Sequence, residues 1–140
     1  MKNMQTFLFA ILLSLGAGMA QADVVVIVSA KSAVGELSKA QVADIFLGKS
    51  ATFPGGVQAV PVDQAEGSSQ RDAFHGHITG KSGAQLKSYW SKLVFSGKGT
   101  PPKELPNAAE VKKLVAANPN MIGYIDKGDA DGSVKVVLAP

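Results

Sequence analysis

VQAVPVDQAEGSSQRDAF, residues 57–74, decides how the rest of the chain is read. Val57, Val60 and Val62 have the apolar, β-branched character of a buried strand. Glu66-Gly67-Ser68-Ser69 supplies turn chemistry and a hydroxyl N-cap. From Gln70 to Ile78 the chain continues as a helix, with Ala73, Phe74 and Ile78 along one face. A strand that feeds a helix through Gly and Ser leaves backbone N–H groups without intrahelical partners, at the positive end of the helix dipole. Such a turn suits an anion. The hydroxyls of Ser68 and Ser69 and the guanidinium of Arg71 add donors. The same serines also serve as helix caps for stability alone. From the residues themselves, an oxyanion site and a structural cap both stand open.

Working outward, the first residues carry an address. Lys2 gives a positive start, Phe7 to Leu15 an apolar run, and Ala20-Gln21-Ala22 a small-residue cleavage pattern, which predicts a secretory signal peptide over 1–22, cut before Asp23. The apolar run is too short to span a bilayer and no second one follows, so no membrane anchor is expected. The 140 residues contain no cysteine, which excludes disulfides, thiol catalysis, thiolate metal sites and lipidation of a cysteine at the cleavage site. The expected product is a soluble protein of the bacterial periplasm, a single domain over 23–140 long enough to bury a core. Residues 1–22 hold one lysine and no acid, so their removal takes the formal charge from +3 to +2. The lysines are scattered, without a dense block or interleaved aromatics, which argues against nucleic acid as a partner.

The remaining elements follow in order. Val24 to Val28 is an almost continuous β-branched run, the pattern of a strand covered on both faces. Ser38 and Gln41 have capping-box spacing ahead of the Val42, Ile45, Phe46 stripe, and Gly48 is placed to end that helix in a left-handed conformation. Ser82 and Gln85 open the longest predicted helix, to about Val94, with Leu86, Tyr89, Trp90, Leu93 and Val94 on one stripe and Trp90 as a core anchor. Phe95 to Asn107 reads as a Gly/Pro loop. Asn107 and Glu110 repeat the box spacing before Val111, Leu114 and Val115. Met121–Ile125 and Val134–Leu138 are the last two strands. The order β-α-β-α-α-α-β-β defines an α/β domain.

Little in the residues points to catalysis. His75 and His77, two apart on a predicted helix, face different directions with no carboxylate pair beside them, and read as surface histidines rather than metal ligands. No G-x-S-x-G elbow accompanies the serines, although a triad assembled in space is open to any composition. Gly97-Lys98-Gly99 lacks the spacing of a phosphate loop. No metal and no cofactor is expected, and no enzyme activity.

LSKAQVADIFLGKSATF, then EGSSQRDAF, then NPNMIGYI resemble, in order and approximate spacing, the phosphate-binding periplasmic subunits of phosphate ABC importers. These PstS-like proteins belong to the type II periplasmic binding proteins. The resemblance covers nearly all of 23–140 and implies a three-layer-like α/β sandwich equivalent to one of the family's two lobes. It implies phosphate or a similar tetrahedral oxyanion as ligand and an ABC permease as partner. Ser68 falls on the family's phosphate-contacting serine, Gly67 on the preceding glycine and Glu66 on the acidic position, able to accept a proton from a protonated phosphate. The family's Gly-Thr pair is Ser69-Gln70 here, and its upstream arginine falls at Gln64, leaving Arg71 as a replacement cation. The implied oxyanion set is therefore Glu66, Gly67, Ser68, Ser69, Gln70 and Arg71. The family's first-lobe opening is absent between Val28 and Leu37. The alternative is a single-lobe descendant that has become an interaction module of the cell envelope, docking on a protein or self-associating.

Overall fold

The computed structural model describes residues 23–140; the expected signal peptide lies outside the described residues. Among the described residues, five strands and four α-helices follow one another, with α2 and α3 consecutive. Strand β1 is Val24–Ser29, helix α1 Lys39–Phe46, β2 Val60–Gln64, α2 Ser69–His77, α3 Gly83–Phe95, β3 Lys103–Leu105, α4 Ala108–Ala117, β4 Met121–Asp126 and β5 Val134–Leu138. One sheet holds all five strands in the order β3-β2-β4-β1-β5. β2 runs parallel to both β3 and β4, whereas β1 is antiparallel to both β4 and β5. The sheet is thus mixed.

Alternation along β1 divides the core into two halves, because successive side chains of a strand point to opposite faces. Val26 and Val28 join Ile122 and Tyr124 against Val42, Ile45 and Phe46 of α1 and Phe74 of α2. Val25 and Ile27 join Val62 and Ile125 against Val111 and Val115 of α4. Helices therefore cover both faces, and the three-layer α/β arrangement expected from sequence is the one found. The unbroken apolar run of β1 is the direct consequence, since neither face meets water.

Local chemistry places the helices. Ser38 and Gln41, and again Ser82 and Gln85, form reciprocal capping boxes. Asn107 caps α4 by accepting from the Glu110 amide. Gly48 leaves α1 at a φ of +72°, a left-handed position that an L side chain rarely adopts.

Three sequence expectations need correction. The central strand begins at Val60, not Val57: Phe53 donates to the Val57 carbonyl and Ala59 to Ala51, so the stretch around Gly55 and Gly56 forms a tight hairpin and Val57 is exposed. The Gly/Pro loop contains β3, a Lys-Glu-Leu segment of low strand propensity that becomes a strand only because β2 offers it a parallel edge. Trp90 is half-buried instead of anchoring the core. Its helix packs on the loop after α1, where the Tyr89 hydroxyl donates to the Leu47 carbonyl, and only Leu86 of the α3 stripe is buried.

Gly123 of β4 lies under α4. A Cβ there would sit 2.7 Å from Val111 Cγ1 and 3.2 Å from Val115 and Val62 methyl carbons, all of them inside the core. Gly123→Ala is expected to lower unfolding stability by about 1–3 kcal/mol through overpacking, measured by chemical denaturation. An unchanged midpoint would show that α4 can lift without cost.

Candidate functional site

β2 ends in Asp63-Gln64, both buried, and the chain turns through Gly67 at a φ of +91° into α2. Ser68 is the N-cap: its hydroxyl accepts from the Arg71 amide at 3.2 Å. Ser69 and Gln70 open the helix, so their amides have no intrahelical acceptor. The turn lies at the carboxyl end of β2, between parallel neighbours β3 and β4, where open α/β sheets offer a crevice for ligands.

Of the six residues expected from sequence, Ser68, Gln70 and Arg71 gather around Gln64, with Gly67 forming the turn before them. The Ser68 hydroxyl donates to Gln64 Oε1 at 2.7 Å, and Gln64 Nε2 donates to Gln70 Oε1 at 2.8 Å. Arg71 Nη1 donates at 2.8 Å both to the Gln64 carbonyl and to Glu104 Oε1 of β3. Glu66 is exposed at the rim of a groove it shares with Arg71, Glu104 and the Leu86, Trp90 and Val94 side of α3. Ser69 instead lines a cavity of about 580 Å³ along the other flank of α2, with Asp72, His77 and Lys127.

Behind the turn lies a buried polar cluster that the sequence reading did not anticipate. Asp63, 4% exposed, accepts from the Tyr124 hydroxyl and, at 3.0 Å, from the Gln64 amide on Oδ1, while its Oδ2 lies 2.9 Å from His75 Nε2 and 3.8 Å from Arg71 Nη1. His75 is therefore a core residue and not a surface histidine, with Asp63 as its carboxylate partner. Its other ring nitrogen meets the Thr79 hydroxyl at 3.1 Å. Phe74 stacks on Tyr124 at 4.1 Å between centroids and seals the cluster from above. The sequence held one signal for this: Tyr124 sits in a strand buried on both faces, and a buried tyrosine hydroxyl needs a partner. Among the described residues no three His, Asp or Glu side chains converge as a metal site would require.

The electrostatics follow from these contacts. Burial by itself would raise the Asp63 carboxyl, but the hydrogen bond and charge of His75, the Tyr124 hydroxyl and the charge of Arg71 outweigh it and hold the group below the usual carboxylate range. Burial, followed by the neighbouring Asp63 charge, pushes Tyr124 far up, so its hydroxyl stays a donor. Burial would lower Arg71, yet Asp63 and Glu104 raise it on balance. The guanidinium is thus a permanent cation with carboxylates on two sides.

Comparison with solved structures gives this arrangement its context. A structure named as a phosphate ABC transporter substrate-binding protein with bound phosphate, from Clostridium perfringens, matches at a TM-score of 0.67 and 27% identity over 82% of this chain and 44% of that one. An ABC-type phosphate transport receptor from Vibrio cholerae matches at 0.64 and 19% identity, covering 82% and 45%. PstS from Borrelia burgdorferi matches at 0.54 and 13%, covering 82% and 46%. No family model matches the sequence, and no curated protein matches it. The chain resembles a single lobe of the phosphate ABC transporter substrate-binding proteins and spans less than half the length of these structures.

Because the folded Asp63 pKa is depressed, its contribution to stability is fully present above the unfolded value near 3.8 and is lost as pH falls through the lower folded value. Unfolding midpoints should therefore drop below about pH 4. Asp63→Asn should cost roughly 3–5 kcal/mol at neutral pH and flatten that acid limb, because it strands a buried ion-pair network. Denaturant titrations of both proteins from pH 2 to 7 check this; parallel acid limbs would remove Asp63 from the account.

Proposed function

We propose that this chain is an exported binding protein for phosphate or a similar tetrahedral oxyanion, acting in the periplasm with ABC-type uptake and carrying no catalytic activity. The observation that carries the reading is a lobe fold like that of the phosphate-bound Clostridium perfringens structure, joined to a Gly-Ser helix N-terminus at the carboxyl end of β2. The anion would lie at the turn Glu66–Arg71, held by the amides of Ser69 and Gln70 and by Arg71, with Glu66 beside it to take a proton from protonated phosphate. Export follows from the leader expected over 1–22; among the described residues no helix is long and apolar enough to cross a membrane. An open turn in contact with water competes poorly for an anion that needs many donors to offset its desolvation. The affinity of the isolated domain is accordingly set at millimolar or weaker.

A second reading has its own support. Val94 is 52% and Phe95 96% exposed at the end of α3, beside the turn. An apolar rim of this kind suits a domain that docks on an envelope protein, with the turn serving as a cap.

Thermal unfolding of residues 23–140 against phosphate, sulfate and chloride at matched ionic strength separates the two. With a millimolar Kd, 10 mM phosphate stabilises the folded state by about 1.4 kcal/mol. A phosphate-selective rise in Tm, lost in Arg71→Ala, is expected. Equal responses to the three salts would leave the turn as a cap and favour the docking reading.

A further inference from the structure

Two of the side-chain donors at this turn, the Ser68 hydroxyl and Arg71 Nη1, are already engaged, and by acceptors of two different kinds. Gln64 is 2% exposed and every polar atom of its side chain is bonded: Oε1 to Ser68, Nε2 to Gln70 and to the Tyr124 carbonyl at 3.1 Å. A hydroxyl has one proton to give. That of Ser68 goes to Gln64, and its lone pair takes the Arg71 amide. Withdrawing the Gln64 carboxamide would leave buried polar atoms unpaired, which is a costly exchange. The bond between Ser68 and Gln64 therefore persists.

Glu104 is different. Its side chain is 51% exposed, and its only tie to the turn is the ion pair with Arg71 at 2.8 Å. An exposed carboxylate leaves such a pair for water at little cost. Its position is not accidental, for β3 lies in register with β2 so that Glu104 stands directly beside Asp63, next to the guanidinium. Both protons of Arg71 Nη1 are spent, one on the Gln64 carbonyl and one on Glu104. Only the second is released without disturbing a buried group.

We propose that Glu104 is an internal competitor for the anion at Arg71, displaced when an oxyanion binds, and that Ser68 is a positioning residue whose hydroxyl is withheld from the ligand by Gln64. This inference rests on the anion reading given above and assigns its donors: the Ser69 and Gln70 amides and the guanidinium face released by Glu104 take the anion. Glu104 then sets the affinity, since its carboxylate neutralises the guanidinium and occupies one Nη1 proton, and while close by it repels the incoming charge.

Calorimetric titration of inorganic phosphate into residues 23–140 tests it, using the unaltered protein, Glu104→Gln, Ser68→Ala and Arg71→Ala/Glu104→Gln, with Glu110→Gln as an exposed control. Glu104→Gln should tighten phosphate binding by about tenfold, the effect of removing one screened unit charge a few ångströms from the anion. The gain should vanish in the double variant and be missing in Glu110→Gln, while Ser68→Ala stays within about threefold of the parent. Circular dichroism checks that each variant is folded. If the parent binds and Glu104→Gln binds no tighter, or Glu110→Gln gains as much, Glu104 is not the competitor, though the site stands. A larger loss in Ser68→Ala would make Ser68 a direct contact and overturn its positioning role. Absence of phosphate binding in every variant, Glu104→Gln included, would overturn the anion reading itself.

Discussion

The Asp63 carboxylate, taken out of water at the end of a strand, imposes the main constraint on this structure. A buried carboxylate is tolerated only when its lone pairs are filled, and three parts of the chain fill them: the Tyr124 hydroxyl from β4, the imidazole of His75 from α2, and the amide of Gln64 from its own strand. The parallel contact of β2 and β4, the pitch of α2 over the sheet and the stacking of Phe74 on Tyr124 are locked together by this one group. Had Asp63 been apolar, the packing of Phe74 and Ile78 would be left to hold α2 in place. As it is, a shift of α2 uncouples His75 and leaves a charge in the core.

That constraint also shapes the turn above it. Because α2 is fixed, Gly67, Ser68 and Arg71 hold a set geometry relative to the carboxyl end of β2, and the first amides of the helix open beside it. The charge balance is equally fixed. Arg71 stands between Asp63 below and Glu104 at the surface, so the local cation is partly neutralised before any ligand arrives. A cation compensated in this way attracts an anion less than one enclosed by uncompensated donors on all sides.

Much of the fold was legible along the chain. Ser38 with Gln41 and Ser82 with Gln85 announced two helix starts that exist as read, because capping is settled within four residues. The β-branched run from Val24 revealed a strand buried on both faces, because burial on both sides removes the polar alternation. Tyr89 and Trp90 misled for the converse reason. Helical periodicity tells which face is apolar but not what covers it, and α3 found the loop after α1 in place of the sheet.

What the sequence by itself determined was most of the helices and strands, the layering around β1 and the Gly-Ser turn that caps α2. These depend on spacing along a few turns of chain. What only the tertiary structure decided was how those groups are used: that His75 pairs with Asp63, twelve residues away, that Tyr124 completes the carboxylate from sixty-one residues on, and that Glu104 reaches Arg71 across thirty-three. Such pairings arise when α2 docks on the sheet and parallel strands β2, β3 and β4 come into register, and contacts between distant segments leave no trace in local residue patterns.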